Sequence, residues 1–187
     1  MQNELRTALE VLRNQGTILY PTDTIWGIGC DASSEEAVKK IYSLKERDND
    51  KSMLILVADE YMAQRYLDEL PDIAYDLFMV ADKPLTLVLP GAKNLARNLP
   101  AKDGSIGMRI PDDAFCQSLL QRFRKPIVST SANFSGQPAP AGFRDIDHHI
   151  TEKVDYVVKW RQNEPAVNKA SSVIRISTSG EINILRK

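Results

Sequence analysis

Two histidines and two cysteines in 187 residues leave little material for a metal centre or a disulfide framework. His148 and His149 are neighbours in the chain, and adjacent side chains do not converge readily on one ion, so a loop position accounts for them. Cys30 and Cys116 stand far apart in no metal-binding spacing, and a reduced, packed thiol is the expectation for both. Long apolar runs are missing as well: no window approaches the ~18 consecutive apolar residues of a membrane span. The start, M-Q-N-E-L-R, has no apolar stretch behind a basic one, so no leader is read there, and a cytoplasmic protein without a membrane partner is expected. Nor does one sign of charge dominate. With 24 Lys and Arg against 25 Asp and Glu, the net charge of −1 gives no global field that would gather nucleic acid, and any anion site must be local. There are no internal repeats, no G-x-S-x-G elbow and no G-x-x-x-x-G-K-[ST] loop, which removes the commonest serine-nucleophile and phosphate-loop schemes.

What is present is enough for one sizeable core. Hydrophobic residues make up 43% of the chain and no linker divides it, so residues 1–187 read as a single domain. Leu5, Leu9 and Leu12 lie at helical spacing and Gly16 is a natural stop, which predicts a helix over residues 3–15 ahead of a buried strand at 17–20. Ser33 and Glu36 fit a capping box for a second amphipathic helix carrying Ala37, Val38, Ile41 and Leu44. The run M-L-I-L-V-A at 53–58 reads as a strand buried on both faces. Asp59 and Asp72 are candidate caps of two short helices within residues 60–80, and further strands are expected at 85–89, 105–110 and 127–129. Asp113 is expected to cap a helix reaching about Phe123. Residues 154–159 read as a strand, and 172–176 with 182–185 as a hairpin about Ser179 and Gly180. Helices alternate with strands through residue 130 and the end is β-rich. The fold class is therefore α/β: a single domain with a twisted, mixed open sheet, helices outside and a concave opening.

The densest chemistry lies in Y-P-T-D-T-I-W-G-I-G-C-D-A at 20–32. Pro21 removes a backbone donor, hydroxyls and a carboxylate follow, and Gly27 and Gly29 permit close approach of backbone or ligand. The segment reads as a cavity lining or as an ordinary turn; its partial match to a dinucleotide fingerprint is poor, because the first glycine should close the strand directly. Lys45, Arg47 and Lys51 form a loop able to hold polyphosphate, or a solvated charge run offset by Glu46, Asp48 and Asp50. Arg109, between Met108 and Ile110 on an internal strand, needs an anion, which a structural carboxylate and a ligand carboxylate would supply equally well. Ser129, Ser131, Asn133 and Ser135 follow a strand end, where open sheets place ligands. With no strong nucleophile in view, catalysis would rest on holding reactants and neutralising charge, as in phosphoryl or nucleotidyl transfer.

Five segments in order resemble the YrdC/TsaC family of threonylcarbamoyl-AMP synthases across nearly the whole chain. They are Y-P-T-D-T-I-W-G-I-G at 20–29, the K-x-R loop from Lys45 to Lys51, S-I-G-M-R-I-P at 105–111, S-A-N-F-S-G at 131–136 and S-S-V at 171–173. The resemblance implies a large, positively charged cavity and the formation of threonylcarbamoyl-AMP and pyrophosphate from L-threonine, bicarbonate and ATP. It implies Mg²⁺ with the ATP, and a product passed to the machinery that modifies adenosine in tRNA. By the same resemblance Lys45 and Arg47 would be catalytic, and Lys45, Arg47, Lys51, Ser105, Ser131, Asn133 and Arg186 would contact ATP. Thr24, Arg109, Ser129 and Ser171 would hold threonine, with Arg109 pairing its carboxylate. No residue is expected to be a metal ligand.

Some positions depart from the family pattern: Asp23 stands for a glutamate, Trp26 for a tyrosine, Asp48 and Ser52 for prolines, Leu56 for a histidine and Ala139 for a serine. The chain stops after Arg186 and Lys187, so the short, single-domain form is expected. The competing readings are a same-fold paralogue that binds nucleotide or double-stranded RNA without making the adenylate, a non-catalytic RNA-binding module, and, more remotely, a dinucleotide-dependent oxidoreductase. Direct contact with tRNA or double-stranded RNA is the partner that the first two would share.

Overall fold

A computed structural model of the chain describes residues 1–46, 53–164 and 170–187. The predicted first helix is α1 (Gln2–Arg13), which buries Leu5, Ala8, Leu9 and Leu12 and packs on α5 (Ala114–Phe123) and on β1 (Ile18–Tyr20). Its spacing puts these four side chains on one face, while Glu4 stays free to reach across the fold. Glu4 accepts from the Tyr156 hydroxyl at 2.7 Å and from the Lys159 amide at 2.6 Å, tying the helix to β7 (Tyr156–Val157).

Among the described residues nine strands form one mixed sheet in the order β7-β1-β2-β6-β3-β5-β4-β8-β9. The remaining strands are β2 (Gly27–Gly29), β3 (Leu54–Leu56), β4 (Leu85–Leu89), β5 (Ile106–Arg109), β6 (Ile127–Ser131), β8 (Ser172–Ile176) and β9 (Ile182–Arg186). β1/β7, β3/β5 and β4/β8 pair parallel; the other five pairs are antiparallel. The other helices are α2 (Glu35–Lys45), α3 (Glu60–Gln64), α4 (Asp72–Val80) and α6 (His148–Lys153). Among the described residues no helix is long and apolar enough to cross a membrane.

Several local expectations are revised by competing interactions. The cap of α2 is Ser34 rather than Ser33, because the Ser33 hydroxyl donates to Asp31 at 2.6 Å, and Lys125 completes that cluster at 2.7 Å from Asp31. Asp72 is the first residue of α4 and makes no side-chain cap; Pro71 precedes it, and the carboxylate sits in the first turn, where the helix dipole favours a negative charge. The histidine pair lies in α6, whose Asp147 cap accepts from the His149 amide at 2.9 Å. Only Ile150 of that helix is buried, so no apolar period announced it. The strand expected at 154–159 shortens to β7, pairing only with Ile18 and Leu19.

Residues 27–29 belong to the segment read in sequence as a cavity lining, and Gly27 keeps that role within the strand they form. They form β2, antiparallel to β1, with Tyr20 opposite Gly27 and Ile18 opposite Gly29. Gly29 is a packing device. A Cβ on Gly29 would lie 2.7 Å from the Val128 carbonyl oxygen and 2.8 Å from the Tyr20 ring. The fully buried Tyr20 ring fills the space that side chains would otherwise take, and burial pushes its phenol well above the usual range. A fingerprint for dinucleotides would place the first glycine at a strand-to-helix turn, and here both glycines are inside a strand.

Candidate active site

One face of the sheet, from β2 across to β9, bounds a cavity of about 370 Å³. Ser129, Thr130 and Ser131 on β6, Gly107 and Arg109 on β5, and Thr86 and Val88 on β4 form its walls, those of β5 and β4 alternating with the strand period. Their sequence neighbours Val128, Met108 and Leu87 point away and are fully buried in the core. Pro21 ends β1, and the turn beyond it delivers Thr22 and Thr24 to the same cavity. Among the described residues its cations are Arg109 and Arg186, and no carboxylate lines it.

The hydroxyls are held in defined directions. Thr22 Oγ1 donates to the Ile25 carbonyl at 2.7 Å and accepts from the Thr24 amide at 3.1 Å. Thr22 has only one proton to give, so in the 3.0 Å contact with Thr24 Oγ1 the donor is Thr24. The oxygen of Thr24 thus keeps acceptor capacity for whatever enters the cavity. Across it, Ser171 and Thr86 share a hydrogen bond of 2.7 Å, and Arg186 donates to the Ser171 carbonyl at 2.9 Å.

Arg109 is 3% exposed and ion-paired through Nη1 to Asp23, whose second oxygen accepts from the Asp112 amide at 3.2 Å. Its Nε is buried without a hydrogen-bond partner. The two sequence readings of this arginine therefore do not compete: a structural carboxylate takes one nitrogen and another remains unsatisfied. The thiols of Cys116, near this pair, and of Cys30, beside Asp31, are buried, and burial pushes both well up, which leaves them as packed, protonated groups.

Of the residues singled out in sequence, Thr24, Arg109, Ser129, Ser131, Ser171 and Arg186 line the cavity. Three others stand outside its wall. Lys45 ends α2 with its ammonium buried, donating to the carbonyls of Ser131 at 2.5 Å and Asn133 at 2.6 Å, and so fastens the S-A-N loop to the helix. Asn133 donates to the Phe134 and Gln137 carbonyls and shapes that loop from within. Ser105 donates to Asp103 at 2.6 Å and accepts from Arg175 at 3.0 Å. Hydrogen bonds from Ser105 and Arg175 hold the Asp103 carboxyl below its usual range. Arg47 and Lys51 lie outside the described residues. Ala139 also lines the cavity, with a methyl where a hydroxyl could have donated. Trp26 belongs to the core rather than to the cavity lining, its ring packing on Phe143 at 4.9 Å.

Sequence reading missed Thr86 as a cavity residue, whereas Thr22 lies in the segment it read as a lining. Thr86 had a usable signal, since it is the polar position in the otherwise apolar run L-T-L-V-L and is 2% exposed.

Comparison with known proteins finds relatives in both sequence and fold. The Sua5/YciO/YrdC family model, described as telomere recombination, matches residues 10–187. A threonylcarbamoyl-AMP synthase of Pseudoalteromonas translucida (strain TAC 125) is 33% identical over 186 residues, covering 97% of this chain and 97% of its own. The crystal structure of P. abyssi Sua5 complexed with L-threonine matches with a TM-score of 0.82 at 27% identity, over 97% of this chain. The present chain spans about half of that protein, 53% of its length. E. coli YciO matches with a TM-score of 0.85 over 100% of this chain and 90% of its own, and at 24% identity the likeness is one of fold.

Proposed function

Because the chain belongs to the Sua5/YciO/YrdC family, we propose that it is a threonylcarbamoyl-AMP synthase, joining L-threonine, bicarbonate and ATP. One observation carries the reading: Thr24, Arg109, Ser129 and Ser171, drawn from four separate segments, line a single cavity together with Ser131 and Arg186. That set offers a guanidinium for a carboxylate and short hydroxyls for an amine or a hydroxyl, in a volume suited to an amino acid beside a phosphate group.

The chemistry suits a site without a strong base. The threonine amine takes up the carbon of bicarbonate with loss of water, giving a carbamate whose oxygen is already an anion. That oxygen attacks the α-phosphorus of ATP, the bond to the β-phosphate oxygen breaks, and pyrophosphate departs. The protein's task is to bring anions together and to stabilise the charge of the leaving group. Arg109 would hold the carboxylate, with Thr24, Ser129 and Ser171 on the rest of threonine. Ser131 and Arg186 would meet the nucleotide, and Lys45 would hold the loop that carries Ser131. Asn133, Ser105, Arg47 and Lys51 complete the proposed ATP contacts, with Lys45 and Arg47 acting on the transferring phosphate. Mg²⁺ would enter on the triphosphate and offset its β and γ charge. Among the described residues no group of three or more His, Cys, Asp or Glu is placed to hold a metal ion. The adenylate would pass, in the cytoplasm, to the enzymes that modify adenosine in tRNA.

The test is pyrophosphate release from ATP, Mg²⁺ and bicarbonate with and without L-threonine. Threonine-dependent release is expected. Folded protein that releases none overturns the reading and turns attention to salt-dependent RNA binding.

A further inference from the structure

The alternation at residues 22–24 turns Thr22 and Thr24 into the cavity and leaves Asp23 outside its lining, behind Arg109. The Asp23 and Arg109 side chains are 7% and 4% exposed, so this ion pair is removed from water. A guanidinium buried this deeply needs a counter-charge before any ligand arrives. Asp23 supplies it through Nη1 alone, and Asp23 is itself fixed by the Asp112 amide just beyond the end of β5. The opposite edge of the guanidinium, Nε with Nη2, is the one that a carboxylate engages with two parallel hydrogen bonds. On that edge Nε is buried with no partner among the described residues. Buried donors are rarely left unsatisfied, and an orphan on a residue that lines a cavity points to an acceptor brought by a ligand.

We propose that Asp23 is a positioning residue: it holds Arg109 by Nη1 so that the Nε and Nη2 edge is presented to the carboxylate of an incoming amino acid, and it stays paired when that ligand binds. The inference rests on the synthase reading for the identity of the amino acid. It also gives the P-T-D-T turn a division of labour, with hydroxyls toward the substrate and the carboxylate toward the arginine that reads it.

The decisive variant is Asp23→Asn, which keeps shape and an acceptor while removing the charge. Its KM for L-threonine should rise by about tenfold or more, with the KM for ATP and kcat at saturating threonine within about twofold of wild type. Asp23→Glu, which restores the charge, should recover most of the threonine affinity. A threonine KM in Asp23→Asn equal to or below that of wild type would overturn the proposal, since the carboxylate would then be idle or repelling the substrate. An equal rise in both KM values would overturn it too, as a merely structural role predicts that. Should the Asn variant fail to fold, the wild-type protein supplies the second measurement. The Arg109 Nη signals in nitrogen-15 spectra, assigned by loss in Arg109→Lys, should stay distinct before and after saturation with L-threonine. Their collapse to one averaged signal on binding would show that the ligand breaks the pair, and would overturn the proposal. Wild-type protein that neither binds L-threonine nor shifts these signals would instead remove the synthase reading beneath it.

Discussion

The two ends of the cavity are built differently. At the end proposed for threonine, Thr24, Arg109 and Ser129 sit on or beside central strands, each no more than 6% exposed, and their directions are set by the sheet and by the Asp23 pair. At the end proposed for ATP, Lys45, Asn133 and Arg186, among the described residues, donate to the protein's own backbone. Lys45 holds two carbonyls, Asn133 holds two more, Arg186 holds the Ser171 carbonyl, and Ser105 is bound between Asp103 and Arg175. One end is preorganised to receive a small ligand, whereas the other positions a loop whose hydroxyls do the receiving. The difference matches the ligands: an amino acid needs directional fit, and a triphosphate needs charge that several loops can share.

Breaking the first end should have the largest effect. Arg109→Ala leaves Asp23 as an uncompensated buried charge, so chemical denaturation should register a loss of roughly 3–5 kcal/mol, while calorimetry should show threonine binding lost well before ATP binding. An equal loss of both ligands would erase the distinction between the two ends. Lys45→Ala should act on the second end through the loop. Two carbonyls lose a charged donor, which should cost about 1–3 kcal/mol in stability and weaken ATP more than threonine. If ATP affinity held while stability fell, Lys45 would be a fastener and nothing more. Ser131→Ala is the mildest change, removing one hydroxyl from the wall, and ATP affinity should fall by about 1 kcal/mol, read as the nucleotide's dissociation constant. No change would mean that the hydroxyl meets no nucleotide.

Much of the fold is legible in the chain itself. The helices with an apolar period, the strands at 85–89 and 127–129 and the Asp59 and Asp113 caps are where local chemistry puts them. The strand at 27–29 is hidden because glycine carries no strand signal, and its reason for being there is the Tyr20 ring, a contact between strands. Ser33 loses the cap to Ser34 because its hydroxyl is taken by Asp31 two residues back, in a cluster that Lys125 joins from across the fold. In the site, residue types can be read from sequence, and partners cannot. That Arg109 needs an anion follows from its neighbours. That Asp23 supplies one, and leaves Nε without a partner, depends on two loops meeting at the ends of β1 and β5.

The most direct measurement is a crystal structure of the protein with L-threonine. The amino-acid carboxylate should lie on the Nε and Nη2 edge of Arg109, with the Asp23 pair intact and the rest of the molecule among Thr24, Ser129 and Ser171. Threonine bound elsewhere, or bound with its carboxylate away from Arg109, would contradict the proposed division of the cavity.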